Sequence, residues 1–307
     1  MAAYQRLHST GELKTRVEKA RAMLEECRLC PHRCGVNRLA GESGKCHVTG
    51  RALVSSYGLH FGEEAPLVGR HGSGTIFFTY CNLQCAFCQN YTISQSGEGS
   101  PAYREELAGM MLSLQEQGCH NINLVSPTHV VPYILDALEL AADKGLHLPI
   151  VYNTGGYDSV ETLRLLDGIV DIYMPDMKYS DEKNARRLSG IKDYPEVNRA
   201  AVREMHRQVG NLQIDGDGIA QRGLLVRHLV LPERLAGTKE VVRFLAREVS
   251  TNTYLNIMAQ YRPCYQAFNI PALSRPIKQR EMSEAVDLAL RQGLDRLDRR
   301  RFSSPIR

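Results

Sequence analysis

The sequence has no tryptophan among its 307 residues, and only 7% of them are aromatic. No run approaches the ~18 apolar residues of a membrane span. The opening MAAYQRLHSTGELK carries no apolar core of signal-peptide length. A protein of the cytoplasm with no membrane partner is therefore expected. Strong charge is also missing: a formal net charge of +4 does not argue for nucleic acid, and none is expected as a partner. Arg296, Arg299, Arg300 and Arg301 make one basic stretch, which reads as a solvated tail. There is no internal repeat and no low-complexity segment. Evenly spread cysteine pairs are absent too. The count is nine, an odd number, and seven of them lie between Cys27 and Cys88. That crowding excludes a secreted disulfide scaffold and points to metal ligation in a reducing compartment.

What is present is ordinary globular material, 43% hydrophobic and 23% charged, long enough for one large α/β domain with an appendage. It is organised around Gly72–Gln95, GSGTIFFTYCNLQCAFCQNYTISQ, where Cys81, Cys85 and Cys88 stand in C-x3-C-x2-C spacing. The β-branched and aromatic run before them predicts a strand over 75–80 that delivers three thiolates onto one tight loop. Soft thiolates at this spacing select zinc or an iron–sulfur cluster. Structural zinc wants four ligands and the loop offers three. A four-iron cubane on three cysteines leaves one iron open to a small molecule.

A second cysteine group precedes it. Cys27, Cys30, Cys34 and Cys46 form C-x2-C-x3-C-x11-C in a turn-rich knuckle with Pro31, Gly35, Gly41 and Gly44. Its four thiolates suit zinc or a second iron–sulfur cluster; an unmetallated knuckle is the third alternative, and softness alone does not choose. Cys119 and Cys264 stand apart and read as small buried hydrophobes, although Cys264 could reach a pocket rim. Glu63 and Glu64, before Pro66, either orient a substrate or backbone amides or form a solvated turn.

The knuckle follows a predicted amphipathic helix over 11–26, and residues 51–71 read as a strand and loop leading to the central stretch. After the cysteine loop, helices alternate with strands at 121–125, 148–152, 170–174, 224–231 and 254–258. Asp158 and Glu161 have capping-box spacing for one of these helices. With 75–80 this makes six strands separated by helical crossovers, an α/β class with a parallel sheet. Residues 263–307 read as an extended C-terminal wrap with a last helix near 281–292. The expected division is 1–70 for the N-terminal helix and metal knuckle, 71–262 for the core and 263–307 for the extension.

Ligands of a parallel sheet bind beyond the carboxyl ends of its strands. The residues expected there are the three cysteines, then Ser126-Pro127-Thr128-His129, then Asn153-Thr154-Gly155-Gly156-Tyr157. Asp176 and Lys178, Arg227 and His228, and Gln260-Tyr261 follow on the later strands. Turn and capping chemistry explains some of the glycines and prolines in this list.

These motifs carry a resemblance. C-x3-C-x2-C with Phe87 before its third cysteine resembles the radical S-adenosylmethionine (SAM) superfamily. The strings CRLCPHRCGVNR, GSGTIFF, CNLQCAFCQN, SPTH, YNTGGYD, DIYMPDMKY and MAQYRP are similar to those of PflX-like iron–sulfur proteins related to pyruvate formate-lyase activating enzymes. The resemblance covers about residues 27 to 263. It implies a partial (β/α)6 radical SAM barrel. It also implies a [4Fe-4S] cluster on Cys81, Cys85 and Cys88, and reductive cleavage of SAM to methionine and a 5′-deoxyadenosyl radical. Hydrogen abstraction from a protein or peptide, as in glycyl-radical activation or side-chain modification, would follow; a small-molecule substrate, or a non-catalytic iron–sulfur protein, is the alternative. A flavodoxin- or ferredoxin-type electron donor is implied as a partner.

In that frame Arg227 is the candidate for the SAM carboxylate, or else an interstrand salt bridge. Asn153, Thr154, Gly155 and Asp176 would hold the ribose or a monovalent cation, with Lys178 supporting Asp176 and Gln260 on the rim. One departure stands out. The Gly-Gly-Glu that meets the SAM amino group in such enzymes is replaced by Ser126-Pro127-Thr128-His129, whose hydroxyl and imidazole acceptors would have to substitute.

Overall fold

The computed structural model describes residues 1–298, so Arg299, Arg300 and Arg301 lie outside the described residues. The chain begins with α1 (Ala3–Ser9) and α2 (Glu12–Ala22). The helix expected over 11–26 is α2, ending at Ala22, and α1 precedes it. Gly11, at φ 76°, turns the chain between them. Past Ala22 the Arg38 N–H takes the Leu24 carbonyl, which stops helical pairing short of Cys27. Helix α1 has no side-chain cap of its own; the Ala3 N–H donates to Asp171 Oδ1 at 2.8 Å, a partner far along the chain.

The rest runs β1 (Ala52–His60), α3 (Ala65–Val68), β2 (Ser73–Phe78), α4 (Tyr91–Ser94), β3 (Ser100–Ala102) and α5 (Arg104–Glu116). It continues through β4 (Ile122–Val125), α6 (Val131–Asp143), β5 (Ile150–Thr154), α7 (Val160–Leu165), β6 (Ile172–Pro175), α8 (Glu182–Ser189) and α9 (Tyr194–Val209). Last come β7 (Gln213–Ile214), β8 (Ala220–Leu229), α10 (Thr238–Phe244), β9 (Tyr254–Met258) and α11 (Gln279–Arg291). Strands β2, β4, β5, β6, β8 and β9 pair in parallel in that order, the six expected, and the sheet is open rather than closed.

Three further strands run antiparallel; β1 lies in the stretch expected as a strand and loop over 51–71, and β3 and β7 are additions. Strand β1 runs against β2, β3 extends the sheet beyond β1, and β7 forms a hairpin with β8. In β1 the half-exposed polar and glycine positions dilute the period-two signal; β3 and β7 are too short to show one. Arg296 does not dangle in solvent either: it donates to the Leu212 and Asn252 carbonyls and lies over the Tyr254 ring.

Alternation along the parallel strands sorts side chains between two faces. Ile122, Leu124, Ile150, Tyr152, Tyr173, Leu224, Val226, Leu255 and Ile257 join the helices in the main core. The opposite, concave face carries Val151, Ile172, Met174 and Leu225, closed from below by Leu67 of α3. Further along the same face the strands present Asn153, Asp176, Arg227 and Asn256. The apolar floor and the polar upper layer therefore follow from one alternation.

Candidate active site

The loop after β2 crosses the carboxyl ends of the sheet and is held there at several points. Asn82 Nδ2 donates to the Tyr157 carbonyl at 2.6 Å, Ala86 N–H donates to the Leu188 carbonyl, and Gln89 Nε2 donates to the Gln260 carbonyl at 3.1 Å. Phe87 packs edge-on against Tyr179 and Tyr261. The three sulfurs each take a polar contact. Leu83 N–H reaches Cys81 Sγ at 3.4 Å, Ser189 Oγ reaches Cys85 Sγ at 3.0 Å, and Ser94 Oγ lies 3.1 Å from Cys88 Sγ. Burial pushes the Cys81 thiol up to about 12, against the Leu83 N–H; burial likewise raises Cys85, with the Lys178 charge opposing it.

Facing the loop is a charged group on the concave face. Arg227 Nε donates to Asp176 Oδ1 at 2.8 Å, its Nη2 donates to Asn153 Oδ1 at 2.7 Å, and Glu63 Oε2 lies 3.8 Å from Nη1. Lys178 Nζ donates to the other Asp176 oxygen at 2.6 Å. Burial would raise the Asp176 carboxyl, but Arg227 and Lys178 outweigh it and hold the group below its ordinary value. Glu63 and Glu64 are not a solvated turn. Glu64 is buried and accepts from Asn256 Nδ2 at 2.8 Å, while its Oε2 has no hydrogen-bond partner. Burial raises Glu64, whereas His60 and Arg227 keep Glu63 low against the same desolvation. The amide of Asn123, on the same face by register with Val151, is buried with neither atom paired. His228 lies on the other face, its ring between the Met177 carbonyl and the Thr238 hydroxyl.

The stretch Ser126–His129 splits three ways. Ser126, at φ 58° and half-buried, stands on the rim. Thr128 is buried and donates to Asp158 Oδ1 at 2.7 Å. His129 turns away, its Nε2–H donating to the Thr79 carbonyl at 3.0 Å. Asp158 does not take the capping place its spacing predicts. Helix α7 starts after Ser159, and Asp158 caps nothing. It instead accepts from Thr128, from Tyr152 at 3.0 Å and from Thr154 at 2.7 Å, all buried. A carboxylate in capping-box spacing carries no local sign of such partners. Two more residues went unnoticed in the sequence. Tyr194 OH sits 2.9 Å and 3.0 Å from the Gly155 and Asp176 carbonyls, and Asn198 Nδ2 donates to the Gly156 and Asp176 carbonyls at 2.9 Å. Both lie on α9 and clamp the ends of β5 and β6 together. Gly155 lies under the cysteine loop, where a Cβ would stand 2.7 Å from Leu83 Cδ1.

The knuckle folds back on itself through Cys27 N–H to the Val36 carbonyl and Gly35 N–H to the Cys27 carbonyl. Cys27, Cys30, Cys34 and Cys46 line one small enclosed space, with His129 and Arg38 in its wall. Cys119 is a core residue and Cys264 is half-buried. Among the described residues no three His, Cys, Asp or Glu side chains stand as a ready-made metal site. The fit of an iron–sulfur cluster therefore rests on donor chemistry: three free thiols on one strand-end loop, Cys85 buried and Cys81 and Cys88 half-buried, with no fourth thiolate in that loop.

Residues 75–214 match the family described as the Radical SAM superfamily. The chain is 32% identical to an uncharacterised protein of Methanocaldococcus jannaschii, over 92% of this chain and 80% of that protein. It is 24% identical to a second uncharacterised protein of that organism, over 87% of this chain and 78% of the other. In fold it is similar to a radical SAM methyltransferase from Sphaerobacter thermophilus, with a TM-score of 0.51 at 15% identity. That alignment covers 72% of this chain and 64% of the methyltransferase, less than two thirds of its length.

Proposed function

Because this chain belongs to the radical SAM superfamily, we propose that it is an enzyme acting on a protein or peptide, as in glycyl-radical activation or side-chain modification. The observation that carries the reading is the convergence of Cys81, Cys85 and Cys88 on a loop pinned across the strand ends, opposite the Asp176–Arg227–Asn153 group. When bound, a [4Fe-4S] cluster and SAM supply one-electron cleavage of the sulfonium and a 5′-deoxyadenosyl radical that takes a hydrogen atom from the substrate.

The chain's own part is holding, orienting and excluding water. Cys81, Cys85 and Cys88 hold the cluster. Arg227, Asp176 and Asn153 form a preorganised polar rim whose hydrogen bonds are already made, so orienting a zwitterionic amino acid or a ribose there costs little rearrangement. Arg227 would take the SAM carboxylate, and Ser126 would serve the SAM amino group, because Thr128 and His129 of its segment are committed to Asp158 and to the Thr79 carbonyl. Phe87, Tyr179, Tyr261 and Leu83 make an apolar wall that keeps water off the loop. Support for a macromolecular substrate comes from the mouth. There the exposed Phe268 and Tyr265, the latter stacked on Tyr91 just past Cys88, offer aromatic surface to a partner. The electron donor is of flavodoxin or ferredoxin type.

The test uses anaerobically reconstituted, dithionite-reduced enzyme with SAM. Cys81, Cys85 and Cys88 changed together to Ala should remove about four irons per chain and abolish SAM cleavage. In the unaltered enzyme, protein or peptide fractions should raise 5′-deoxyadenosine above the uncoupled background. Stimulation by the low-molecular-weight fraction alone overturns the macromolecular reading and leaves the superfamily chemistry standing.

A further inference from the structure

Arg38 is a charged side chain that is only 1% exposed. Its Nη1 donates to the His129 carbonyl at 2.8 Å and its Nε to the Thr49 carbonyl at 3.3 Å, and its Nη2 has no hydrogen-bond partner. Tyr133 lies beneath the guanidinium at 5.4 Å. Among the described residues no carboxylate forms an ion pair with it. A guanidinium taken out of water in this way is strongly disfavoured unless an anion sits beside it. The groups that share its cavity wall and can become anions are four cysteines, Cys27, Cys30, Cys34 and Cys46.

Those sulfurs are arranged as acceptors. The Lys45 N–H points at Cys34 Sγ at 3.5 Å, and the backbone N–H groups of His32 and Val48 bond to Cys30 and Cys46. The turns that create them need unusual backbone: Arg33, Gly35 and His47 have φ of 43°, 68° and 55°. Gly44 is held against Cys34, where a Cβ would stand 2.6 Å from Sγ. The space the four cysteines enclose is ≈ 10 Å³, room for about one water-sized sphere. Four soft sulfur donors are the set a single tetrahedral ion takes, although they do not stand as a ready-made site before it binds. His129 also faces this space, with its Nδ1 buried and unpaired.

We propose that Cys27, Cys30, Cys34 and Cys46 hold a single zinc ion and that the buried guanidinium of Arg38 is its counter-ion. Zinc with four thiolates is a tetrahedral dianion, which supplies the charge that Arg38 lacks. The site lies outside the loop of Cys81, Cys85 and Cys88 and stands or falls independently of the reaction proposed there.

The full-length protein, purified aerobically, should contain about one zinc per chain, and the variant lacking Cys81, Cys85 and Cys88 should contain the same. Replacement of the zinc by Co(II) should give the intense visible bands of tetrahedral cobalt and a sulfur-to-cobalt charge-transfer band. This reading needs no variant at the knuckle. Cys34→Ser, at the least buried of the four, should lose those bands. Arg38→Met should weaken zinc about 10–100-fold in competition with a chelator, and Arg38→Lys should retain most of the affinity. Absence of zinc and of the cobalt bands, or about four irons per chain in the reconstituted Cys81/Cys85/Cys88 variant, overturns the single-ion site. Unchanged zinc affinity in a folded Arg38→Met overturns the counter-ion.

Discussion

His32 Nε2 lies 2.8 Å from the carbonyl oxygen of Asn82. A ring in the middle of the cysteine knuckle thus donates a hydrogen bond into the loop between Cys81 and Cys85, and the same ring packs edge-on against Tyr157. His129 makes a second link, from the wall of the knuckle cavity to the Thr79 carbonyl. The two cysteine groups are therefore mechanically joined. His32→Ala should leave the fold intact but loosen the loop by about 1 kcal/mol, the worth of one hydrogen bond. The expected sign is roughly five-fold faster loss of iron from the reconstituted protein to a chelator, and an unaltered rate would show that the contact does not brace the loop.

Asp158 accepts from three buried hydroxyls, and its truncation leaves them only the 3.1 Å contact between Thr128 and Thr154 to share. Asp158→Ala should cost at least about 3 kcal/mol. Asp158→Asn should cost clearly less, because one carboxamide oxygen still accepts and the Thr154 hydroxyl can turn to accept from the new amide. Urea midpoints of the two variants check this, and equal losses would contradict it.

Gly155 and Gly156 are adjacent and should respond very differently to alanine. At Gly156, φ is +77° and a Cβ would meet the Asp176 carbonyl oxygen at 2.2 Å and Asn198 Nδ2 at 2.3 Å. Both neighbours belong to the clamp that joins β5 to β6. At Gly155 the obstacle is the tip of the Leu83 side chain, which can swing aside. Gly156→Ala should therefore lose several kcal/mol, on the order of 3 or more. Gly155→Ala should fold and show its effect in SAM binding, because Leu83 is displaced next to Cys81. Thermal midpoints and a SAM titration separate the two, and a fully stable Gly156→Ala would refute the steric argument.

Burial depresses His228 to about 4, against the bond to the Met177 carbonyl. The free side chain titrates near 6.5. Between those values the unfolded chain binds a proton that the folded chain refuses, so this residue makes stability fall as pH falls, not as it rises. The full loss is about 3 kcal/mol, at ~1.4 kcal/mol per pH unit. Urea unfolding of the metal-free chain at several pH values between 7 and 4 should show this slope added to that of His129, which burial also depresses to about 4. His228→Asn should lower it by about one proton, and an identical slope would place the acid sensitivity elsewhere.

The parts with local causes are legible in the residues alone. A β-branched run before C-x3-C-x2-C makes a strand that ends in thiolates. Alternating periods of about two and 3.6 residues make the six parallel strands and their crossovers. Tertiary structure decided which polar groups meet. Asp158 has the local grammar of a helix cap, yet its buried partners come from two neighbouring strand ends. Arg227 is one of several polar residues in β8 until the register of β5, β6 and β8 sets it against Asn153 and Asp176. Arg38 in CGVNRLAG looks like a surface arginine; only folding puts it under Tyr133 and beside four cysteines. Periodicity is set by each residue's own backbone and neighbours, and so it can be seen in the sequence. A buried hydrogen bond or charge pair is chosen by desolvation among groups tens of residues apart, and that choice exists only once the layers have packed.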